Sequence, residues 1–146
     1  MRVVVQRVRH AKVEVEGKVT GSISNGLLLL VGIHRDDTVE KLKWICDKIL
    51  KLRIFDDRSG KMNDSVQDIS GELLVVSQFT LYGDPEKGNR PSYMEAAGPG
   101  KAEELYEQMI RYFKEHSQLN VESGKFGAYM DVELLNDGPV TILLDR

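Results

Sequence analysis

The sequence predicts an α+β fold, a mostly antiparallel, curled sheet forming a partial barrel with two main helices packed on it. Three observations carry this. Strand-length apolar runs and alternations recur from Val3 to Leu144. Only two stretches, one opening at Asp37 and one following Gly100, carry helical periodicity. The tight connections between successive strand signals favour antiparallel pairing. At 146 residues the chain is read as one domain, 1–146, able to bury roughly two-thirds of its unfolded surface without staples.

Val3 to Val8 is predicted as a strand. Lys12–Glu16 and Lys18–Ile23 alternate around Gly17, a hairpin pattern. Leu27 to Ile33 is apolar almost throughout, as in a strand covered on both faces. Asp37-Thr38-Val39-Glu40 resembles a capping box. Val39, Leu42, Ile45, Cys46, Ile49 and Leu52 then fall on one helical stripe. Arg53 to Phe55 is a short strand candidate, followed by the turn-rich segment Asp56 to Lys61. Leu73 to Leu81 is predicted as the central strand. Asp84 to Gly100 is a loop with three prolines, long enough to be functional. Ala102, Leu105, Tyr106, Met109, Phe113 and His116 mark the second helix. Ala128–Leu135 and Val140–Leu144 are the closing strands.

Composition narrows the function. Charged residues are 29% and the apolar set 41%, as in ordinary globular proteins. The lone cysteine, Cys46, has no internal disulfide partner and lies in a helix stripe, which favours a reducing compartment and a packing role. Arg2 to Gln6 is too short an apolar start for a signal peptide, and Leu27 to Val31 is far below membrane-spanning length, so a cytoplasmic location without membrane contact is expected. A net charge of −3 disfavours coating of long nucleic acids. Two segments are nevertheless locally basic. One holds Arg2, Arg7, Arg9 and Lys12; the other holds Lys41, Lys43, Lys48, Lys51 and Arg53. Either is a solvated face or a seat for a short single-stranded end.

CxxC, HExxH, GxSxG and phosphate-cradling glycine loops are all missing. His10, His34 and His116 lie far in sequence from the suggestive residues, and no metal-ligand spacing occurs. No cofactor or metal is therefore expected. Ser77-Gln78-Phe79-Thr80 stands where a buried strand should emerge, offering free backbone N–H groups and small polar side chains. Gly138-Pro139 precedes the last strand. Taken alone, each is more readily read as an ordinary strand end or turn.

Together these segments carry a resemblance. The chain resembles the bacterial-type D-aminoacyl-tRNA deacylases along essentially its whole length. The resemblance rests on Met1 to Val8, Gly60-Lys61-Met62-Asn63, Val75 to Tyr82, Lys87 to Ser92, Gly124 to Ala128 and Asn136-Asp137-Gly138-Pro139-Val140-Thr141. The SQxxL and NxGPxT signatures are intact. Gly83, Asn89 and Tyr93 depart from the usual alanine, arginine and phenylalanine, outside both signatures.

The resemblance implies a cytoplasmic homodimer that hydrolyses the ester joining a D-amino acid to the terminal adenosine of tRNA, and glycyl-tRNA by extension. It implies a cis Gly138-Pro139 that enters the partner subunit's pocket and rejects L-amino acids by sterics. The catalytic segment would be Ser77, Gln78, Phe79 and Thr80, with the Phe79 and Thr80 N–H groups as oxyanion hole. The rival is a Thr80 hydroxyl nucleophile, for which the sequence supplies no base. Gly138, Pro139, Phe126, Met130 and Arg7 are the expected substrate-binding set, with Arg7 bracing the Gly-Pro loop. Phe126 and Met130 line the pocket on this reading, the alternative being simple core residues.

Overall fold

The computed structural model describes residues 1–146. Eight strands and two α-helices alternate along the chain: β1 (Arg2–Val15), β2 (Lys18–Ile23), β3 (Gly26–Gly32), α1 (Val39–Lys51), β4 (Phe55–Asp56), β5 (Met62–Asp64), β6 (Glu72–Ser77), α2 (Pro99–His116), β7 (Asn120–Ser123) and β8 (Asp131–Asp145). A 3-10 helix, Phe79–Tyr82, follows β6. The main sheet has six strands in the order β2-β1-β3-β6-β7, with β8 pairing along β1; β4 and β5 form a separate two-stranded hairpin.

The α+β class and partial barrel agree with the sequence reading, and β1 is antiparallel to β2, β3 and β8. Two pairings are parallel, β3 with β6 and β6 with β7. Their physical cause is the two helices. Each lies between a pair of parallel neighbours and supplies the long crossover that such pairs require. The two predicted N-terminal strands are one continuous β1, with register shifts near Gln6–His10 where it bends against β8. The two closing strands are likewise one, β8. The predicted central strand ends at Ser77 rather than at Leu81, because Phe79–Tyr82 turns into the 3-10 helix. Strand β7 was not anticipated; Asn120–Ser123 is short and polar.

Alternation along β1 sends Met1, Val3 and Val5 into the principal core, shared with α1 and α2. Val8, Ala11 and Val13 join a smaller cluster with Leu28, Leu74 and Val76. The stripe predicted for α1 is observed, with Leu42, Ile45, Cys46 and Ile49 buried. Its cap differs from expectation. Thr38, not Asp37, is the N-cap and accepts from the Lys41 N–H. Asp37 is buried instead, taking the Met1 ammonium at 2.6 Å and the His34 N–H at 2.7 Å.

Candidate active site

Parallel pairing delivers Ser77 to the end of the sheet. Val31 of β3 faces Ser77, and the Val31 carbonyl accepts the Gln78 N–H at 2.8 Å. The chain then tightens, and the Leu81 N–H bonds to the Gln78 carbonyl at 3.2 Å. Phe79 and Thr80 are the first two residues of this 3-10 helix, and the helix itself has no acceptor for their N–H groups. Both residues are exposed. The Gln78 side-chain amide donates to the Thr80 hydroxyl. That partner is a donor and so offers the hydroxyl no base.

Surrounding groups fix this strand end. Arg2 donates to the Leu81 carbonyl at 2.8 Å and stacks over Tyr82. Buried Tyr106 donates to the Val75 carbonyl at 2.7 Å, and the Gly124 N–H donates to the same carbonyl at 3.0 Å. Burial pushes the Tyr106 hydroxyl pKa up, which keeps it a donor. Phe126 packs on the Tyr106 ring at 5.7 Å, two residues beyond Gly124, and so sits near the strand end. Met130 is half-buried against the smaller cluster. It also lines a cleft of about 250 Å³ with Lys12, Glu14, Asp131, Val132 and Glu133, which contains neither signature. The ring of Tyr93 meets Phe79 edge-on at 5.1 Å.

The second signature lies elsewhere. Gly138-Pro139 is cis and exposed. Asn136 closes the loop over it, donating to the Val140 carbonyl at 3.1 Å and accepting the Val140 N–H at 3.0 Å. Gly138 has φ +130, and a Cβ there would come within 2.7 Å of Val140 Cγ2 and 2.9 Å of Val140 N. No residue but glycine fits. Arg7, only 6% exposed, reaches the loop from β1. Its Nε donates to the Asp137 carbonyl at 3.1 Å and one terminal nitrogen to the Ile54 carbonyl at 2.7 Å. The guanidinium also pairs with the Asp137 and Asp56 carboxylates at 3.3 and 3.7 Å.

Within one chain the signatures are apart. Arg2, beside the Ser77 segment, and Arg7, beside the Gly-Pro loop, are separated by about 17 Å along β1 at the usual strand rise. The structure therefore brings together Ser77, Gln78, Phe79 and Thr80, with Phe126 nearby. Separately it brings together Arg7, Gly138 and Pro139. Asn136, Tyr106 and Arg2 were not singled out as site residues. Only Asn136 had a signal, its fixed spacing from Gly138.

The other candidates resolve differently. Cys46 is buried and its thiol pKa is pushed up by desolvation, leaving it unreactive. His34 is held by Glu95 at 2.9 Å and tilts against Tyr82. His116 bonds to the Tyr112 carbonyl at 2.9 Å and stacks on that ring. No group of three His, Cys, Asp or Glu side chains is close enough to hold a metal ion. The basic segment in β1 is not a free cationic face, since Arg2, Arg7, Arg9 and Lys12 all pair with carboxylates. No helix is long and apolar enough to cross a membrane.

Comparison with known proteins bears on this geometry. The sequence profile described as D-Tyr-tRNA(Tyr) deacylase matches residues 4–145. The D-aminoacyl-tRNA deacylase of Thermosipho africanus is 60% identical over 145 residues, covering 99% of this chain and 97% of that protein. The one from a Geobacillus species is 59% identical, covering 99% and 95%. A solved c-Myc DNA Unwinding Element Binding Protein superposes with TM-score 0.95 at 42% identity, covering 100% of this chain and 99% of that one. The structure of a probable eukaryotic D-amino acid tRNA deacylase superposes with TM-score 0.83 at 19% identity, covering 99% and 98%, a likeness of fold alone.

Proposed function

The chain belongs to the D-Tyr-tRNA(Tyr) deacylase family, and from that premise we propose that it hydrolyses the ester between a D-amino acid and the terminal adenosine of tRNA, as a cytoplasmic homodimer whose two signatures meet across the subunit interface. One observation carries the dimer: both signatures are exposed, and they stand apart along β1, one at its Arg2 end and one at its middle beside Arg7, so a second copy would bring them together. The face of the sheet away from the helices supplies a surface for it. There Leu143, 60% exposed, lies in register with Val4, which pairs in turn with Leu30. Two-fold pairing is the commonest symmetry for such oligomers.

In the completed site, water attacks the ester carbonyl carbon. The carbonyl oxygen becomes an oxyanion held by the Phe79 and Thr80 N–H groups. Collapse of the tetrahedral intermediate breaks the bond to the ribose 3′-oxygen. That oxygen takes up a proton as the attacking water gives one up, with the neighbouring 2′-hydroxyl orienting the water. The products are free D-amino acid and tRNA. Aminoacyl esters are already activated, so geometry and electrostatics suffice. Ser77 and Gln78 set the polar wall, with the Gln78 amide holding the Thr80 hydroxyl out of the reaction. The Gly138 and Pro139 carbonyls of the other subunit bind the ammonium group and occupy the space that an L side chain would need. Arg7 fixes that loop, and Phe126 and Met130 border the pocket.

Chirality is then read at the α-carbon, so glycine is accepted with the D series. Purified protein is expected to deacylate D-tyrosyl-tRNA and glycyl-tRNA and to spare L-tyrosyl-tRNA. Refusal of glycyl-tRNA as firm as that of L-alanyl-tRNA would overturn the steric account. Thr80→Ala keeps near-normal turnover on the backbone route; complete loss would make the hydroxyl the nucleophile. The likeness at 42% identity to a DNA-element binding protein favours a second reading, a non-catalytic binder of single-stranded nucleic-acid ends. Absence of any D-ester hydrolysis by the purified protein would select it.

A further inference from the structure

Of the two basic segments, only the second carries free charge. No carboxylate lies within salt-bridge distance of Lys48, Lys51, Arg53, Arg58 or Lys61, whereas every Arg and Lys of β1 is paired. On α1, Trp44, Lys48 and Lys51 recur at spacings of four and three residues, on the face opposite the buried stripe. Trp44 is 39% exposed, a large share for the chain's one tryptophan. Its ring lies under two cations, with Lys48 Nζ at 5.4 Å and the Arg146 guanidinium at 4.9 Å from the centroid. The acids of α1 are engaged elsewhere. Asp47 accepts from Tyr112 at 2.8 Å, and Glu40 is held at the cap by Thr38, which lowers its pKa. Cations near a helix C-terminus offset its dipole. That accounts for Lys48 and Lys51, but not for an exposed tryptophan between two cations, nor for Arg58 and Lys61 on the next turn.

The path of the chain places this charge beside the second signature. Helix α1 ends at Lys51, and three residues later the Ile54 carbonyl takes the Arg7 guanidinium that also grips Asp137. The β4–β5 hairpin, with Arg58 and Lys61 at its turn, continues from there; its Asp56 carboxylate is the other ion-pair partner of Arg7. A cationic track thus runs about 10 Å along α1 from Trp44 to Lys51, and on to the base of the Gly-Pro loop. Polyanionic backbone is the chemistry that fits a run of free cations flanked by an exposed aromatic ring.

We propose that the exposed face of α1 and the β4–β5 turn dock the phosphate backbone of the tRNA acceptor arm, with Trp44, Lys48, Lys51, Arg58 and Lys61 as contacts, so that the subunit lending the Gly-Pro loop also grips the RNA leading to it. The proposal rests on the deacylase reading above. Deacylated tRNA, titrated into the intact protein while Trp44 emission is followed, is the direct probe. A saturable change is expected, and it weakens as salt rises. In the variant K48Q/K51Q/R58Q/K61Q the slope of log affinity against log salt is expected to fall by about 3, and KM for D-tyrosyl-tRNA to rise about tenfold or more. Lys12→Gln, which removes a charge already neutralised by Glu14 and Glu133, leaves the slope unchanged. All four substitutions are at exposed positions, and circular dichroism checks that the variant is folded. A wild-type salt slope in the folded quadruple variant, or Trp44 emission indifferent to saturating tRNA, overturns the proposal. Failure of the underlying reading looks different: the unaltered protein would not hydrolyse even the small ester D-tyrosyl-adenosine, whatever the binding slope.

Discussion

Replacing Arg7 by methionine isolates what holds the Gly-Pro loop. The substitution keeps most of the aliphatic stem, and so its packing near Phe55, but removes the guanidinium. Two carbonyls lose a charged donor, Asp137 at 3.1 Å and Ile54 at 2.7 Å. Such bonds are each worth roughly 1.5–3 kcal/mol. The ion-pair share is small, because Asp56 is 55% exposed and Asp137 keeps Arg9 at 3.1 Å. A loss of about 3 kcal/mol in folding stability follows, partly offset by burying methionine in place of a charge. Arg7→Lys restores a charge but reaches only one carbonyl, and recovers about half. Urea unfolding measures these losses. Function is read separately, by the ratio of kcat/KM for D- over L-tyrosyl-tRNA under conditions where both variants are folded. If about half of the lost anchoring is felt in the complex, kcat/KM for the D ester drops about tenfold. Discrimination narrows as the loop gains freedom. A folded Arg7→Met protein with unchanged D-ester turnover and unchanged discrimination would refute the brace.

Three further outcomes are expected. Gly138→Ala brings a Cβ within 2.7 Å of Val140 at φ +130, which costs about 2–3 kcal/mol or displaces the loop, so stability and D-ester kcat/KM fall together. Asp57 and Asp68 have pKa values held below the ordinary 3.8, chiefly by hydroxyl bonds from Ser59 and Ser65. Their stabilisation is complete above that value and is lost as pH falls through the depressed folded-state values, so the double variant D57N/D68N flattens the acid limb of a thermal-midpoint profile. Cys46, with its thiol pKa raised by burial, is expected to react with a disulfide reagent only under unfolding conditions; rapid native-state labelling would contradict its place in the core.

How much was legible depended on whether the deciding contacts were local. The α1 stripe from Leu42 to Ile49 was readable because burial on a helix leaves a 3.6-residue period. Leu73 to Val76 was readable because a strand covered on both faces is apolar throughout. The end of that strand was misplaced by several residues, since Phe79, Leu81 and Tyr82 are apolar enough to continue it. What stops it is Arg2 seizing the Leu81 carbonyl from 79 residues away. The parallel pairings had a local sign, a helix between consecutive sheet strands, but the short hairpin of β1 and β2 drew more weight. The cap on α1 shifted by one residue because Asp37 is needed for the Met1 ammonium. In the site, both signatures were visible as residue patterns. Their separation was not, because it follows from which rows of β1 each segment meets: Ser77 is reached through β3 at the Val3 row, and the Gly-Pro loop bulges from β8 between its Gln6 and Val8 pairings.

That separation also suits the two-copy site proposed above. An oxyanion hole made of main-chain N–H groups must be rigid, and Ser77–Thr80 obtains rigidity from its own sheet through Val31, Tyr106 and Arg2. A chirality filter made of main-chain carbonyls must be rigid too, and Asp137–Pro139 obtains it from Arg7 in the middle of β1 and from Asn136 of β8. Neither feature needs a charged side chain in the pocket, so each can present bare backbone without a buried ion left unpaired. Placing both on one strand end would ask the same few backbone groups to serve as sheet partners and as ligands at once. Setting them apart and joining them by the proposed two-fold axis would let each be fully braced within its own fold while remaining open toward the other. On this view the exposure of Phe79, Thr80, Gly138 and Pro139 in the single chain is what subunit pairing uses.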